Sequence, residues 1–219
     1  MLVPLKSQDH GIVLEFKVQD TEEEKTLHDT AEAALKQIRQ KQYDKELLTA
    51  GTEKERIRKP ELAGGALLDV GVYPINFASM VLGENLKDVQ SSAIFEGGVD
   101  ILETIIMNFE GNKMATLQSG VREISDRMGS IFGTKGYIQV QNINNPEKIT
   151  VFNQKHEETA SYFPPKQITG YEYEVRACKK ALEEGKIECL EMPHAKTVRI
   201  MEIMDGLRKS WGYEIPEVE

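Results

Sequence analysis

Gly64-Gly65-Ala66-Leu67-Leu68-Asp69-Val70-Gly71-Val72-Tyr73-Pro74 is the stretch on which the reading of this chain turns. A Gly-Gly turn feeds an apolar segment, Leu67 to Leu82, which reads as a helix that Gly83 stops. Pro74 falls near its first turn, where a missing backbone N–H costs little. On such a helix Asp69 and Tyr73 are four apart and share one face. A carboxylate and a phenol on one helix face are candidates for acid–base work. A buried helix with Asp69 answering the positive end of the dipole accounts for the same residues without chemistry.

Downstream, the pattern changes to short runs of strand character: Val89 to Phe95, Val99 to Phe109, Met114 to Val121, Ser130 to Phe132, Tyr137 to Gln141 and Ile149 to Phe152. Glu96-Gly97-Gly98, Glu110-Gly111-Asn112 and Gly133-Thr134-Lys135-Gly136 separate neighbours, and loops that short join antiparallel strands. Two helices close the chain, Tyr171 to Glu184 and Ala195 to Trp211, with Met192, Met201 and Met204 reading as core residues. The expected fold class is α+β: an open, mostly antiparallel sheet with flanking helices.

Upstream, Ile12 to Val18 reads as a strand that places Glu15 and Lys17 on one face. A helix from Asp20 to about Tyr43 and a short one to Ala50 follow. Gly11 and Gly51 are the only glycines in the first 60 residues of a chain that has 17, and Lys59-Pro60 ends a charged run. That shift in composition sets an expected boundary between a segment at 1–59 and a domain at 60–219.

The bulk numbers narrow the function classes. A formal net charge of -9 disfavours binding to nucleic acid or to an anionic membrane. No run of 18 apolar residues occurs, and the first residues lack a basic-then-apolar leader, so a cytoplasmic chain without a membrane span is expected. Cys178 and Cys189 lack metal-ligand spacing and read as two idle thiols rather than a disulfide. His156 lies in a charged loop, Lys155-His156-Glu157-Glu158, His194 precedes a helix as a cap-region residue, and His10 and His28 have no partners at ligand spacing, so no metal site is expected.

Pro60 to Trp211 resembles the C-terminal substrate domain of the Gfo/Idh/MocA-type NAD(P)-dependent oxidoreductases. The resemblance rests on the Gly64–Pro74 stretch, with its Asp-x-Gly-x-Tyr pattern, and on three later matches. These are Ile131-Phe132-Gly133-Thr134-Lys135-Gly136, Tyr171-Glu172-Tyr173-Glu174 and Ala181-Leu182-Glu183-Glu184-Gly185. The Tyr form is most similar to the dimeric dihydrodiol dehydrogenase and sugar dehydrogenase branch. It implies Asp69 and Tyr73 as catalytic residues, Gly64 and Gly65 facing substrate or cofactor, NAD(P) as cofactor, and a homodimer through the sheet face. It also implies a preceding Rossmann domain with a glycine-rich turn and a Glu-Lys-Pro lysine motif. Neither pattern occurs before Gly64. The chain alone is therefore expected to be inactive and without NAD(P)H affinity, unless a separate Rossmann-domain chain supplies that half. A non-enzymatic binding or oligomerisation module is the alternative.

Gly11 to Lys59 resembles the C-terminal part of a PD-(D/E)XK nuclease-like domain, in which Glu15 would hold a divalent metal and Lys17 would activate water. The further acid that such a site needs is absent before Glu15, since Met1 to Gln8 contain none. The fragment is expected to be vestigial and without nuclease activity, fused ahead of the oxidoreductase-like part.

Overall fold

The computed structural model describes residues 56–167, 169–213 and 215. The strand and helices expected between residues 12 and 50, with Glu15 and Lys17, lie outside the described residues. Ile57–Glu219 forms one compact unit.

A short 3-10 turn, Pro60–Leu62, leads through the Gly-Gly turn into a π-helical segment, Leu67–Gly71, which continues without a break as α1, Val72–Leu82. Pro74 sits in the first turn of α1, and Gly83 (φ 97°) ends it. Three long antiparallel strands follow: β1 (Leu86–Glu96), β2 (Val99–Phe109) and β3 (Lys113–Gly120), in the order β1-β2-β3. Then come β4 (Gly129–Gly133), β5 (Gly136–Gln141), β6 (Lys148–Asn153) and β7 (Glu158–Tyr162), also antiparallel and paired in sequence order. The chain closes with α2 (Glu172–Glu183) and α3 (His194–Ser210).

The antiparallel α+β architecture is thus present, with one correction: the strands form two sheets, of three and four strands, where a single open sheet was expected. A seventh strand was also hidden in the sequence. His156, expected in a charged loop, is the turn residue (φ 64°) of a hairpin that pairs β6 with β7. The Glu-Glu-Thr run after it carries no apolar alternation strong enough to announce a strand.

The core lies between the three-stranded sheet and the helices. Leu67, Ile75 and Ala78 come from the first helical segment. Ile105, Met107, Phe109 and Leu117 come from β2 and β3, and Ile200, Met204 and Leu207 come from α3. β2 alternates strictly through Ile105, Met107 and Phe109, as a strand with one face on the core must. Pro60–Leu82 is apolar enough, by length and composition, to cross a membrane. Leu67 and Ile75 of this segment are instead fully buried in this core, while Met80 is exposed. Of the three methionines expected inside, only Met204 is buried; Met192 and Met201 are exposed. Helical spacing assigns a face to a methionine but not the depth of cover over that face.

Candidate active site

The geometry around the Gly64–Pro74 stretch is set by two acids on β2 that sequence reasoning did not single out. Asp100 and Glu103 are both only 1% exposed. In a regular strand, residues three apart point to opposite faces. Here the register skips between Ile94↔Leu102 and Phe95↔Asp100, so that Ile101 is an extra residue against β1. The bulge reverses the phase and turns both carboxyls inward. Glu103 was legible, because it keeps step with Ile105, Met107 and Phe109. Asp100 was not, because nothing in the residues marks the bulge.

Asp100 organises the start of the helical segment. The Leu67 amide donates to Asp100 Oδ2 at 2.6 Å, and the Ala66 amide also donates to this carboxyl. The glycines make room for it. Gly65 holds φ 113°, and a Cβ there would collide with Asp100 Oδ1. Gly71 lies over Glu103, where a Cβ would stand 2.8 Å from Oε1 and 3.1 Å from Ser119 Oγ. The Gly64 amide donates to the Lys59 carbonyl (3.0 Å) and the Gly65 amide to the Ile57 carbonyl (2.8 Å). Tyr213 Oη lies 3.5 Å from the Gly64 carbonyl, the long limit of a hydrogen bond. The close approach that this Gly-Gly turn permits is to Asp100, and both glycines are buried.

The two acids behave as a pair. Ser119 Oγ donates to Glu103 Oε1 at 2.5 Å, whereas Asp100 Oδ1 and Glu103 Oε2 have no donor among the described residues. Burial is the main cause that pushes the Glu103 carboxyl up to about 8; the charges of Asp100 and Glu123 add to it, and the Ser119 hydrogen bond opposes it. Burial also raises Asp100, against the pull of the amides and of Glu103. At neutral pH Glu103 therefore keeps its proton and donates to Asp100, which supplies the missing donor and leaves one buried negative charge instead of two.

Asp69 and Tyr73 lie on the outer side of this segment. Asp69 belongs to the π-helical turn and Tyr73 to the first turn of α1, so they are not stacked as on a regular α-helix. They are nonetheless close enough that the Asp69 charge acts on the phenol. Single π-turns inside helices are costly and recur at functional sites. Tyr73 is 46% exposed. Partial burial first, then Tyr171, Asp69 and Glu174, raise its pKa above the ordinary value. Tyr171 is the N-cap of α2 and Glu174 lies in its first turn, so the α2 start completes the surroundings of Tyr73. None of the groups that shift the phenol is a cation, and it remains a proton donor at neutral pH. Among the described residues no three His, Cys, Asp or Glu side chains converge as metal ligands.

Residues 34–139 match the GFO/IDH/MocA C-terminal domain, a match that begins inside the segment that resembled a nuclease and omits Glu15 and Lys17. Trans-1,2-dihydrobenzene-1,2-diol dehydrogenase of Xenopus laevis is 32% identical over 172 residues, covering 74% of this chain and 51% of the relative. The human enzyme of that name is 28% identical over 163 residues, with 71% and 48% covered. The fold is similar to that of KijD10, a 3-ketoreductase from Actinomadura kijaniata solved with NADP and TDP-benzene. That likeness has a TM-score of 0.61 at 20% identity and covers 72% of this chain and 49% of that one. UDP-N-acetylglucosamine 3-dehydrogenase from Acidithiobacillus ferrooxidans has a TM-score of 0.56 at 15% identity, with 66% and 46% covered. The chain spans about half the length of the relatives it matches. Over these matched residues the chain is similar to the GFO/IDH/MocA C-terminal domain and to the dihydrodiol dehydrogenases.

Proposed function

We propose that this chain supplies the substrate-side half of an NAD(P)-dependent oxidoreductase that acts on the hydroxyl of a sugar or diol. The observation that carries the reading is Tyr73: a half-exposed phenol that follows the π-turn bearing Asp69, a turn whose start the buried Asp100 holds against the sheet. In the reductive direction Tyr73 donates its proton to the nascent hydroxyl oxygen, while Asp69 orients that group. In the oxidative direction the phenol has to lose its proton, and the acids around it oppose this. A cation contributed from outside the described residues would remove that barrier.

NAD(P)H would supply the hydride in the reductive direction and NAD(P)⁺ accept it in the oxidative one, but the Gly-Gly turn offers the cofactor no cradle. The amides of Gly64, Gly65, Ala66 and Leu67 all donate to Lys59, Ile57 or Asp100, leaving none for a phosphate. Gly64 and Gly65 thus shape the segment, and the cofactor-binding half comes from a Rossmann domain elsewhere in the protein or on a separate chain. The outer face of β1-β2-β3, with Ile94 and Met114 exposed beside Thr104 and Thr116, suits a homodimer interface in a cytoplasmic protein.

The test combines the chain with a separately produced NADP-binding Rossmann domain and follows NADP⁺ reduction with sugars and trans-dihydrodiols. Activity should appear only in the mixture, and Tyr73→Phe should lower it by about 10²–10⁴-fold. Saturable NADPH binding by the chain alone, or a mixture indifferent to Tyr73→Phe, would overturn the reading. Light scattering that returns a monomer at high concentration would remove the dimer.

A further inference from the structure

The two cysteines, 11 residues apart in the chain, meet in space. Cys178 lies on α2 and Cys189 in the connection to α3, and their sulfurs are 3.8 Å apart, with the Cys189 thiol donating to Cys178. Both are free; Cys178 is exposed and Cys189 partly so. They are also the chain's only cysteines.

The connection is anchored on both sides of Cys189, so the encounter belongs to the fold of this loop. The Lys186 amide turns back onto the Ala181 carbonyl at 2.8 Å, next to the Gly185 amide on Leu182. Beyond Cys189, the His194 amide donates to Glu188 at 2.7 Å, tying the start of α3 to the loop. Between these anchors the loop brings Cys189 back over the α2 turn that carries Cys178. The sulfurs are 3.8 Å apart, against about 2.05 Å in an S–S bond.

We propose that Cys178 and Cys189 are a reversible dithiol–disulfide modification site, oxidised by a small-molecule disulfide of the glutathione type. The Cys178 thiolate attacks one sulfur of that disulfide, whose S–S bond breaks; the departing sulfur leaves as a thiolate and takes up a proton. The Cys189 thiolate then attacks the Cys178 sulfur, forms the Cys178–Cys189 bond and releases the second small thiol. Two protein thiols are oxidised and one disulfide is reduced to two thiols. Partial burial first, and the Cys178 sulfur and Glu191 besides, raise the pKa of the Cys189 thiol. The more exposed Cys178 is therefore the first attacker and Cys189 the resolving thiol. The site stands apart from the oxidoreductase reading: α2 would be clamped to the loop after it whether or not Tyr73 performs chemistry.

The whole chain, equilibrated in buffers of reduced and oxidised glutathione, provides the test by acid quench, alkylation and intact mass. The expected product is a monomeric chain that has lost two hydrogen atoms and both alkylatable thiols together, with a cross-linked Cys178–Cys189 peptide pair and full reversal by reductant. In Cys178→Ser and Cys189→Ser, the remaining thiol should stop at the glutathione adduct, most readily in Cys189→Ser. Independent glutathione adducts on both cysteines of the unsubstituted chain would overturn the proposal. So would an intermolecular disulfide, or two thiols that stay alkylatable throughout the oxidising range.

Discussion

The Leu67–Leu82 segment and α2 are both helical and both bear apolar residues, yet they end up in opposite circumstances. The first buries Leu67, Ile75 and Ala78 between the three-stranded sheet and α3. The second buries Ala181 alone, while Tyr173, Val175 and Leu182 stay exposed, Leu182 at 76%. α2 is the more amphipathic in pattern, so the difference is not in the helices themselves. An apolar stripe states that a helix is built to be covered; it says nothing about where the cover comes from. For the first segment the cover is in the same compact unit. For α2 none is found among the described residues, and its first turn instead borders Tyr73.

The contrast can be broken most forcefully at Gly65. Its φ of 113° is unfavourable for any side chain, and a Cβ would strike Asp100. Gly65→Ala should cost about 4 kcal/mol, backbone strain and overpacking together, measured by urea unfolding. A cost below about 1 kcal/mol would show that the segment is not pinned to Asp100. Ile75→Ala, in a fully buried position, should cost about 3 kcal/mol through lost burial and an unfilled cavity.

What the sequence disclosed follows the same division. The antiparallel strands were legible because β2 alternates against the core and short Gly and Asn loops join its neighbours. Tyr73 and Asp69 were legible as a pair, though not the π-turn that offsets them, since Leu67–Gly71 has the composition of an ordinary helix. Asp100 stayed hidden because a bulge at Ile101 put it out of phase with its strand. The split into two sheets could not be read either, because each strand's pattern reports its own two faces and not where pairing ends. The thiol pair needed the fold of the loop after α2, which no spacing rule supplies.

Glu103 offers a sharper test of the buried side, through pH. Its carboxyl titrates near 8 in the folded protein, against 4.5 unperturbed, and Asp100 is raised as well. Between those values the folded chain holds a proton that the unfolded chain has released. The stabilisation is complete below the unfolded value, declines as pH rises and is lost once pH passes about 8. The groups that face Glu103 are Ser119, Asp100 and Glu123, and none of them is a cation. Glu103→Gln keeps the shape and cannot ionise. Unfolding measured from about pH 5 to about pH 9 should therefore show a flatter stability profile for this variant, with its advantage largest at the alkaline end. Identical profiles would mean that the carboxyl pair does not share a proton.

The smallest effect is expected on α2. Val175→Ala and Leu182→Ala remove apolar groups that already face solvent, so each should change stability by no more than about 0.5 kcal/mol. That near-silence separates two reasons for an apolar helix face. If the stripe packs within this chain, the truncations will cost as much per methylene as Ile75→Ala does. If it awaits cover from outside the described residues, the isolated chain will tolerate them. The cost should then appear only when the chain is assayed with the Rossmann partner, as weaker association at unchanged stability of the free chain. A loss of stability above about 1 kcal/mol in the free chain would place α2 in the core and remove the contrast with Leu67–Leu82.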